Sequence, residues 1–259
     1  MNHKLKLALV QSSLVWEDPE QNRLNFEKLI NNISEDTNVV VLPEMFTTGF
    51  TMTPENIAND EGAKTVSWMK SIARDKGIAL MGSISFWEDQ KYTNRLFFVS
   101  DKAAPVHYDK RHTFTLAGED MVYEAGKAKL IVEYMNFVLC PMICYDLRFP
   151  VWARNTENYD ALIYVANWPK PRIDAWDTLL KARAIENMAY CIGVNRIGQD
   201  INGYEYCGHS AAYDCLGNQL CFTEDETVVY TTLERQHITA TRDKLNFLGD
   251  KDSFNLVIQ

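Results

Sequence analysis

Asn136-Phe-Val-Leu-Cys-Pro-Met-Ile-Cys144-Tyr-Asp-Leu-Arg-Phe-Pro150 is an apolar run that stops at a cysteine and gives way at once to polar and charged residues. The run has the length and apolar content of a strand buried on both faces, so Cys144 falls where a strand ends and a turn begins. In open α/β sheets ligands bind at the carboxyl ends of strands, where a substrate can reach a thiol. Most free cysteines are small buried hydrophobes, and the stretch by itself leaves both readings open.

Two further segments have the same form. Val39-Val-Val-Leu-Pro-Glu44 and Leu162-Ile-Tyr-Val-Ala-Asn167-Trp168 are apolar runs that each deliver a polar or reactive group at the carboxyl end. If the three strands are parallel neighbours, Glu44, Cys144 and the Asn167-Trp168 pair meet in one crevice. Strand-like and helix-like patterns alternate along the rest of the chain. Strands are expected at Leu5–Val10, Asn38–Leu42, Ile78–Ser85, Arg95–Ser100 and Pro105–Tyr108, and again at Leu130–Val132, Phe137–Ile143 and Ala161–Ala166. The last three fall at Tyr190–Val194, Ser210–Tyr213 and Val228–Thr232. Helices are expected after the Asp18-Pro19 cap, over Ala63–Lys76 with Gly77 closing it, and over Asp174–Met188. A polar, irregular loop runs from Lys110 to Gly126. No linker, repeat or low-complexity tract interrupts residues 1–259, which read as one α/β domain.

The formal net charge of -9 argues against a nucleic-acid surface, and it requires that an anionic substrate be held by a few local cations. No apolar run approaches the ~20 residues that span a bilayer, so no membrane segment is expected. The apolar part of the N-terminus is too short for a signal peptide, and a cytoplasmic location is the expectation. Six cysteines then read as reduced thiols. Cys140 and Cys144 have a C-x3-C spacing used by some zinc sites, but on a strand four steps span ~13 Å, too far for two bonds of ~2.3 Å to one ion. No metal is expected.

A cysteine nucleophile needs a base to take its proton or a cation to hold the thiolate. Histidine is the commonest base, yet none of the five here ends an apolar strand as Glu44 does. Burial drives a carboxylate toward the neutral range in which it can take and return a proton, although most glutamates are exposed. Lys110, in His107-Tyr-Asp-Lys-Arg-His112, follows a short strand. Its own flank does not distinguish it from a solvated lysine.

Four motifs carry a resemblance: Pro43-Glu44-Met, Asp109-Lys110-Arg-His-Thr-Phe114, Cys144-Tyr-Asp-Leu-Arg-Phe-Pro150 and Arg183-Ala-Ile-Glu-Asn187. They stand in the order seen in the nitrilase superfamily of carbon-nitrogen hydrolases, and the match runs from about Leu5 to about Leu233. Asn167-Trp168-Pro169 and the short chain are most similar to the omega-amidase branch, although several amidases carry another pair in place of Asn167-Trp168. The resemblance implies a four-layer αββα sandwich, pairing into homodimers or higher homo-oligomers, and no cofactor. It also implies a catalytic triad of Glu44, Lys110 and Cys144, with Glu119 as a second glutamate. Glu124 competes with Glu119, which is preferred because it stands seven residues before Gly126.

The implied activity is hydrolysis of the terminal amide of a small keto-dicarboxylate monoamide through a thioester on Cys144. The oxyanion is expected between Lys110 and the backbone N–H of Tyr145. The substrate carboxylate requires a cation, and Arg172 is chosen over Arg148, which is expected in an ion pair behind the turn. Phe46, Phe114, Tyr145 and Trp168 are candidates to wall the pocket or to pack in the core, beside Asn167. Arg183 and Glu186, three apart on a helix, are expected to brace the site. A cysteine hydrolase with His112 or His209 as base stands as the rival.

Overall fold

The computed structural model describes residues 4–257. The chain opens with β1 (Lys4–Gln11), α1 (Pro19–Asn31), β2 (Val39–Val41) and α2 (Glu61–Lys76), then β3 (Ala79–Glu88), β4 (Lys91–Val99) and β5 (Val106–Asp109). It continues through β6 (Val132–Tyr134), β7 (Phe137–Ile143), α3 (Pro150–Ala153), β8 (Ala161–Ala166), α4 (Ile173–Glu186) and β9 (Tyr190–Asn195). The last part holds β10 (Ile197–Gln199), β11 (Glu205–Cys207), β12 (Ser210–Tyr213), β13 (Gln219–Thr223), β14 (Thr227–Glu234) and α5 (Arg235–Leu245).

Local chemistry sets the helix ends. The Asp18 side chain accepts the Gln21 N–H at 3.0 Å and Pro19 occupies the first turn, so α1 starts where a proline costs no hydrogen bond. Gly77 closes α2 at φ 65°, the left-handed cap that glycine adopts without strain.

Two six-stranded sheets form the centre, in the orders β14-β1-β2-β3-β4-β5 and β13-β12-β9-β8-β7-β6, with β10 and β11 as a separate ribbon. Each has three parallel strands in the middle, β1-β2-β3 and β7-β8-β9, and antiparallel strands at its edges. The alternation in β1 assigns the layers. Leu5, Leu7 and Leu9 share a core with Leu139, Ile143, Ile163 and Val165 of the second sheet. Ala8 and Val10, on the other face, pack with Phe26 and Ile30 of α1 and Met69 and Ile72 of α2. Trp176, Leu180 and Ala184 of α4 and Ile238 of α5 cover the second sheet. This is the αββα arrangement that the motifs implied.

The three strands singled out by pattern are not all neighbours. β7 and β8 pair in parallel, but β2 belongs to the opposite sheet. Glu44 therefore meets Cys144 across the sandwich and not along one sheet edge. A crevice between facing sheets needs no topological switch point, and residue pattern alone does not separate the two geometries.

Other differences are local. β4 starts four residues early because Asp89 and Gln90, at φ 49° and 63°, make a two-residue turn from β3. Met135 and Asn136, at φ 49° and 65°, do the same between β6 and β7, which moves the expected Leu130–Val132 strand two residues on. The short β10 and β11, the mostly exposed β13, and α5 escaped prediction. Within α5 only Ile238 is buried, so no apolar stripe marks the helix; Arg235 and Arg242 anchor it by pairing with Asp160.

Gly193 shows how closely α4 lies on β9. A Cβ there would stand 2.5 Å from both Trp176 and Leu180. Gly193→Ala is expected to lower stability by about 1–3 kcal/mol through overpacking, read as a lower urea midpoint with an unchanged slope.

Candidate active site

Strand ends from both sheets close on one space. The chain leaves β2 through Pro43, and the backbone N–H of Phe46 returns to Ser83 O on β3. Met45, at φ 41°, turns the chain so that Glu44 points inward, where it is wholly buried. Lys110 follows β5 directly. Its backbone N–H donates to Asn94 O at 2.9 Å, and its carbonyl accepts the Gly126 N–H at 2.8 Å. A Cβ on Gly126 would lie 2.0 Å from Asp109 O, so only glycine lets the 110–126 loop close here. That loop contains two short 3-10 turns, Thr115–Ala117 and Glu119–Met121.

The second sheet supplies the thiol. Cys144 sits at φ 43° where β7 passes into the helical turn Cys144–Arg148, a strained conformation for a residue with a Cβ. Asp146 fixes that turn. Its carboxylate, fully buried, accepts from Ile143 N at 3.0 Å, Tyr108 Oη at 2.8 Å and His112 N at 3.0 Å, and it bonds His112 Nδ1 at 2.8 Å. Tyr108 lies on β5, so one carboxylate ties the cysteine turn to the strand that carries Lys110. Arg183 braces the turn from α4, donating to Leu147 O at 2.7 Å while paired with Glu186 at 2.9 Å.

The charges meet at Lys110. Its Nζ donates to Glu44 Oε1 at 2.8 Å and to Glu119 Oε1 and Oε2 at 3.0 and 2.8 Å, and all three side chains are buried. Burial alone would push the ammonium down, but Glu119 and Glu44 together hold it above the usual lysine range. One cation cannot neutralise two acids. Burial, with Glu44 nearby, accordingly pushes the Glu119 carboxyl up against the pull of Lys110. Burial, the Glu44 charge and a hydrogen bond to Glu44 push the Cys144 thiol well above its ordinary value, although Lys110 pulls it down. At neutral pH the thiol keeps its proton, and a base must remove it.

A small pocket of about 110 Å³ opens over Cys144 and Lys110, lined also by Phe50, Phe114, Tyr145, Arg148, Asn167, Trp168, Arg172 and Tyr204 among others. Asn167 joins the sheets, its N–H donating to Glu44 Oε2 at 2.8 Å and its Nδ2 to Glu44 O at 2.6 Å, while its buried Oδ1 has no partner among the described residues. The Arg172 guanidinium lies 5.2 Å from the Phe114 ring and that of Arg148 4.8 Å from the Trp168 ring. Neither forms an ion pair among the described residues. Arg148 is thus a pocket residue and not the buried ion-pair partner expected of it, because the turn aims it across the indole face.

Phe46 is not brought to the pocket. It packs in the outer core against Phe26 and Trp68, with ring centroids 5.5 and 6.1 Å away, because the turn after Glu44 sends it to the helix side of the sheet. Glu124 is exposed and paired with Lys91. No histidine among the described residues lines the pocket: His112 is held by Asp146 and stacked on Phe149, and His209 is bonded to Asp177.

Pattern reading missed Asn94, Phe50, Asp146 and Tyr204. Asn94 carried a signal, as a polar residue in step with Leu96 and Phe98 on the inner face of β4, and it donates to both glutamates. Tyr204 comes from the β10–β11 loop and Phe50 from the segment after β2, and no periodicity connects either to the pocket.

A thiol, a carboxylate and a buried ammonium beneath a small pocket define a site for nucleophilic attack on a small molecule. The carbon-nitrogen hydrolase family model matches residues 6–243. The chain is 40% identical to the omega-amidase YafV of Yersinia enterocolitica, covering 98% of this chain and 99% of that one. It is 30% identical to a 2-oxoglutaramate amidase of Bacillus subtilis, covering 95% and 97%. Among solved structures, a CN-hydrolase superfamily protein from Xanthomonas campestris with an arsenic adduct in its active site superposes with a TM-score of 0.95 at 38% identity, covering 99% and 100%. The chain belongs to the carbon-nitrogen hydrolase family and is an enzyme. Among the described residues no helix is long and apolar enough to cross a membrane, and no cluster of His, Cys, Asp and Glu could hold a metal ion.

Replacing Lys110 by methionine strands two buried carboxylates. Lys110→Met is expected to lose about 3–5 kcal/mol near neutral pH. The deficit should shrink as pH falls and a proton neutralises the stranded Glu119, whose carboxyl burial already raises in the folded state. Urea titrations of both proteins between pH 8 and pH 5 test the sign, and a deficit constant with pH would contradict it.

Proposed function

We propose that the enzyme is an omega-amidase that hydrolyses the terminal amide of a short keto-dicarboxylate monoamide, such as 2-oxoglutaramate or 2-oxosuccinamate, to the acid and ammonia. The observation that carries this reading is one small pocket with a thiol and an ammonium in its lining, the Glu44 carboxylate buried behind them on the ammonium, and two arginines in its wall that have no carboxylate partner among the described residues. The names of the similar proteins from Yersinia enterocolitica and Bacillus subtilis support it.

Glu44 takes the Cys144 proton as the sulfur attacks the amide carbon. The negative charge that develops on the carbonyl oxygen is met by the Lys110 ammonium and the backbone N–H of Tyr145, which lies in the first turn of the 144–148 segment and lacks an intrahelical acceptor. Donors aimed at such a charge contribute about 3 kcal/mol each. Glu44 then passes its proton to the departing nitrogen, the C–N bond breaks, and ammonia leaves a thioester on Cys144. Water, deprotonated by Glu44, attacks the thioester carbon; the C–S bond breaks, the sulfur regains a proton, and the carboxylic acid is released. Glu119 holds Lys110 in place throughout. The unpartnered Asn167 Oδ1 suits an amide N–H, and the protonated resting thiol is consistent with a carboxylate base in contact with it.

For the substrate carboxylate, Arg172 and Arg148 offer charge-assisted bonds worth about 1.5–3 kcal/mol each. Arg172→Ala is expected to raise KM for 2-oxoglutaramate by about 10- to 100-fold on that scale while sparing a neutral aliphatic amide. Ammonia release from 2-oxoglutaramate, 2-oxosuccinamate, glutamine, asparagine and simple amides tests the substrate class. Preference for glutamine over its keto analogue would overturn the omega-amidase reading and leave an amidase of the same family acting on another small amide.

The choice of base has its own test. Glu44→Gln should abolish the adduct that Cys144 forms with an amide substrate, seen by mass spectrometry, whereas His209→Ala should keep most turnover. The reverse result would restore a histidine base.

A further inference from the structure

Asn94 lies wholly buried on the inner face of β4. Its Nδ2 donates to Glu44 Oε1 at 2.8 Å and to Glu119 Oε1 at 3.0 Å. Lys110 Nζ donates to the same two oxygens at 2.8 and 3.0 Å. The four atoms make a closed ring in which nitrogen donors alternate with carboxylate acceptors. Both amide hydrogens are used, and the Asn94 Oδ1 is buried with no partner among the described residues. Turning the amide over would set that oxygen against two carboxylate oxygens, so the donor orientation is fixed by charge. An orphaned buried carbonyl is a poor choice for packing alone.

We propose that Asn94 is a positioning residue for the reaction, holding the Glu44 carboxylate by Oε1 so that Oε2 is left for the Cys144 proton, and preventing Glu44 and Glu119 from sharing a proton. The inference rests on the reading of Glu44 as base and Cys144 as nucleophile. It deepens that reading by naming what orients the base.

The acceptors support it by their unequal occupation. Glu44 Oε1 takes two donors, Glu119 Oε1 takes two, and Glu119 Oε2 takes Lys110 Nζ and the Phe114 N–H at 2.8 and 2.6 Å. Among the described residues, Glu44 Oε2 takes a single N–H, that of Asn167 at 2.8 Å. It is the one oxygen of the four with capacity to spare, and it belongs to the residue bonded to the thiol. Between the two Oε1 atoms every approach is filled by an N–H, so a proton has no seat there. Lys110 cannot do this alone, because it gives one hydrogen to Glu44 Oε1 and shares one between the two Glu119 oxygens, and the reaction needs its third for the carbonyl oxygen.

Asn94→Asp keeps the shape of the side chain, removes both donors and adds charge. Its kcat is expected to fall at least about tenfold, with the acidic limb of the kcat–pH profile moved up by about one unit because the ionised carboxylates lose their donors. KM should stay within about twofold, since Asn94 does not line the pocket. Asn94→Ser, which retains one donor, should fall between it and the parent, and it carries the same comparison if the aspartate variant does not fold. A normal pH limb, with activity reduced only in proportion to the folded fraction found by urea unfolding, would make Asn94 a packing residue and overturn the proposal. Glu44→Gln and Cys144→Ala run beside them: activity in either would sink the underlying reading, whereas their inactivity with parent-like Asn94 variants would sink the positioning role alone.

Discussion

One ammonium shared by two buried carboxylates is the constraint on which the rest of the site depends. Lys110 sits between Glu44 and Glu119 with almost no solvent, so the cluster holds one more acid than base and the protein must solvate its charges itself. It does so with neutral donors. Asn94 Nδ2, the Asn167 N–H and the Phe114 N–H each supply a hydrogen bond to a carboxylate oxygen, and the Phe50 ring lies 5.1 Å from the ammonium. Buried charges survive only when their lone pairs and protons are matched in this way. The same charges keep the thiol protonated, which makes the nucleophile depend on the carboxylate that it touches.

The site belongs to neither sheet. Glu44, Asn94 and Lys110 come from the first, and Cys144 and Asn167 from the second. The polar bonds across the gap include those from Asn167 to Glu44 and from Tyr108 to Asp146 beside the site, and those of Gln11 with Ser210 and Thr223 away from it. Apolar packing of Leu5, Leu7 and Leu9 against Leu139 and Ile163 brings the sheets together without choosing among sliding positions. The polar bonds select the position at which Cys144 faces Glu44.

How much of this was legible in the chain depends on what kind of signal each residue leaves. Apolar runs ending in Glu44, Cys144 and Asn167 gave the strands and their functional ends, because a buried strand must be apolar and must stop before a charge. The sheet to which each strand belongs left no such mark, since both sheets bury both faces. Lys110 and Glu119 lie in a loop without period, and only the motif resemblance set them apart from surface residues. Phe46 shows the opposite failure. An aromatic next to Glu44 is adjacent in sequence, yet one positive φ at Met45 turns it to the far side of the sheet. Asn94 was readable and overlooked, a polar residue on the buried face of an apolar strand.

The pairing of β1 with β14 has a consequence for how the enzyme comes into being. Lys4 lies opposite Glu234, and the pairing runs on to Gln11 opposite Thr227, so the first and last strands of the chain are neighbours. The sheet that holds Glu44 and Lys110 is therefore completed only after residue 234 has been made, long after every member of the site up to Asn167 has emerged. Contacts between such distant parts of a chain are slow to form, since the loop they close is costly in entropy. A growing polypeptide on the ribosome thus carries all the groups of the site well before it can carry a finished one.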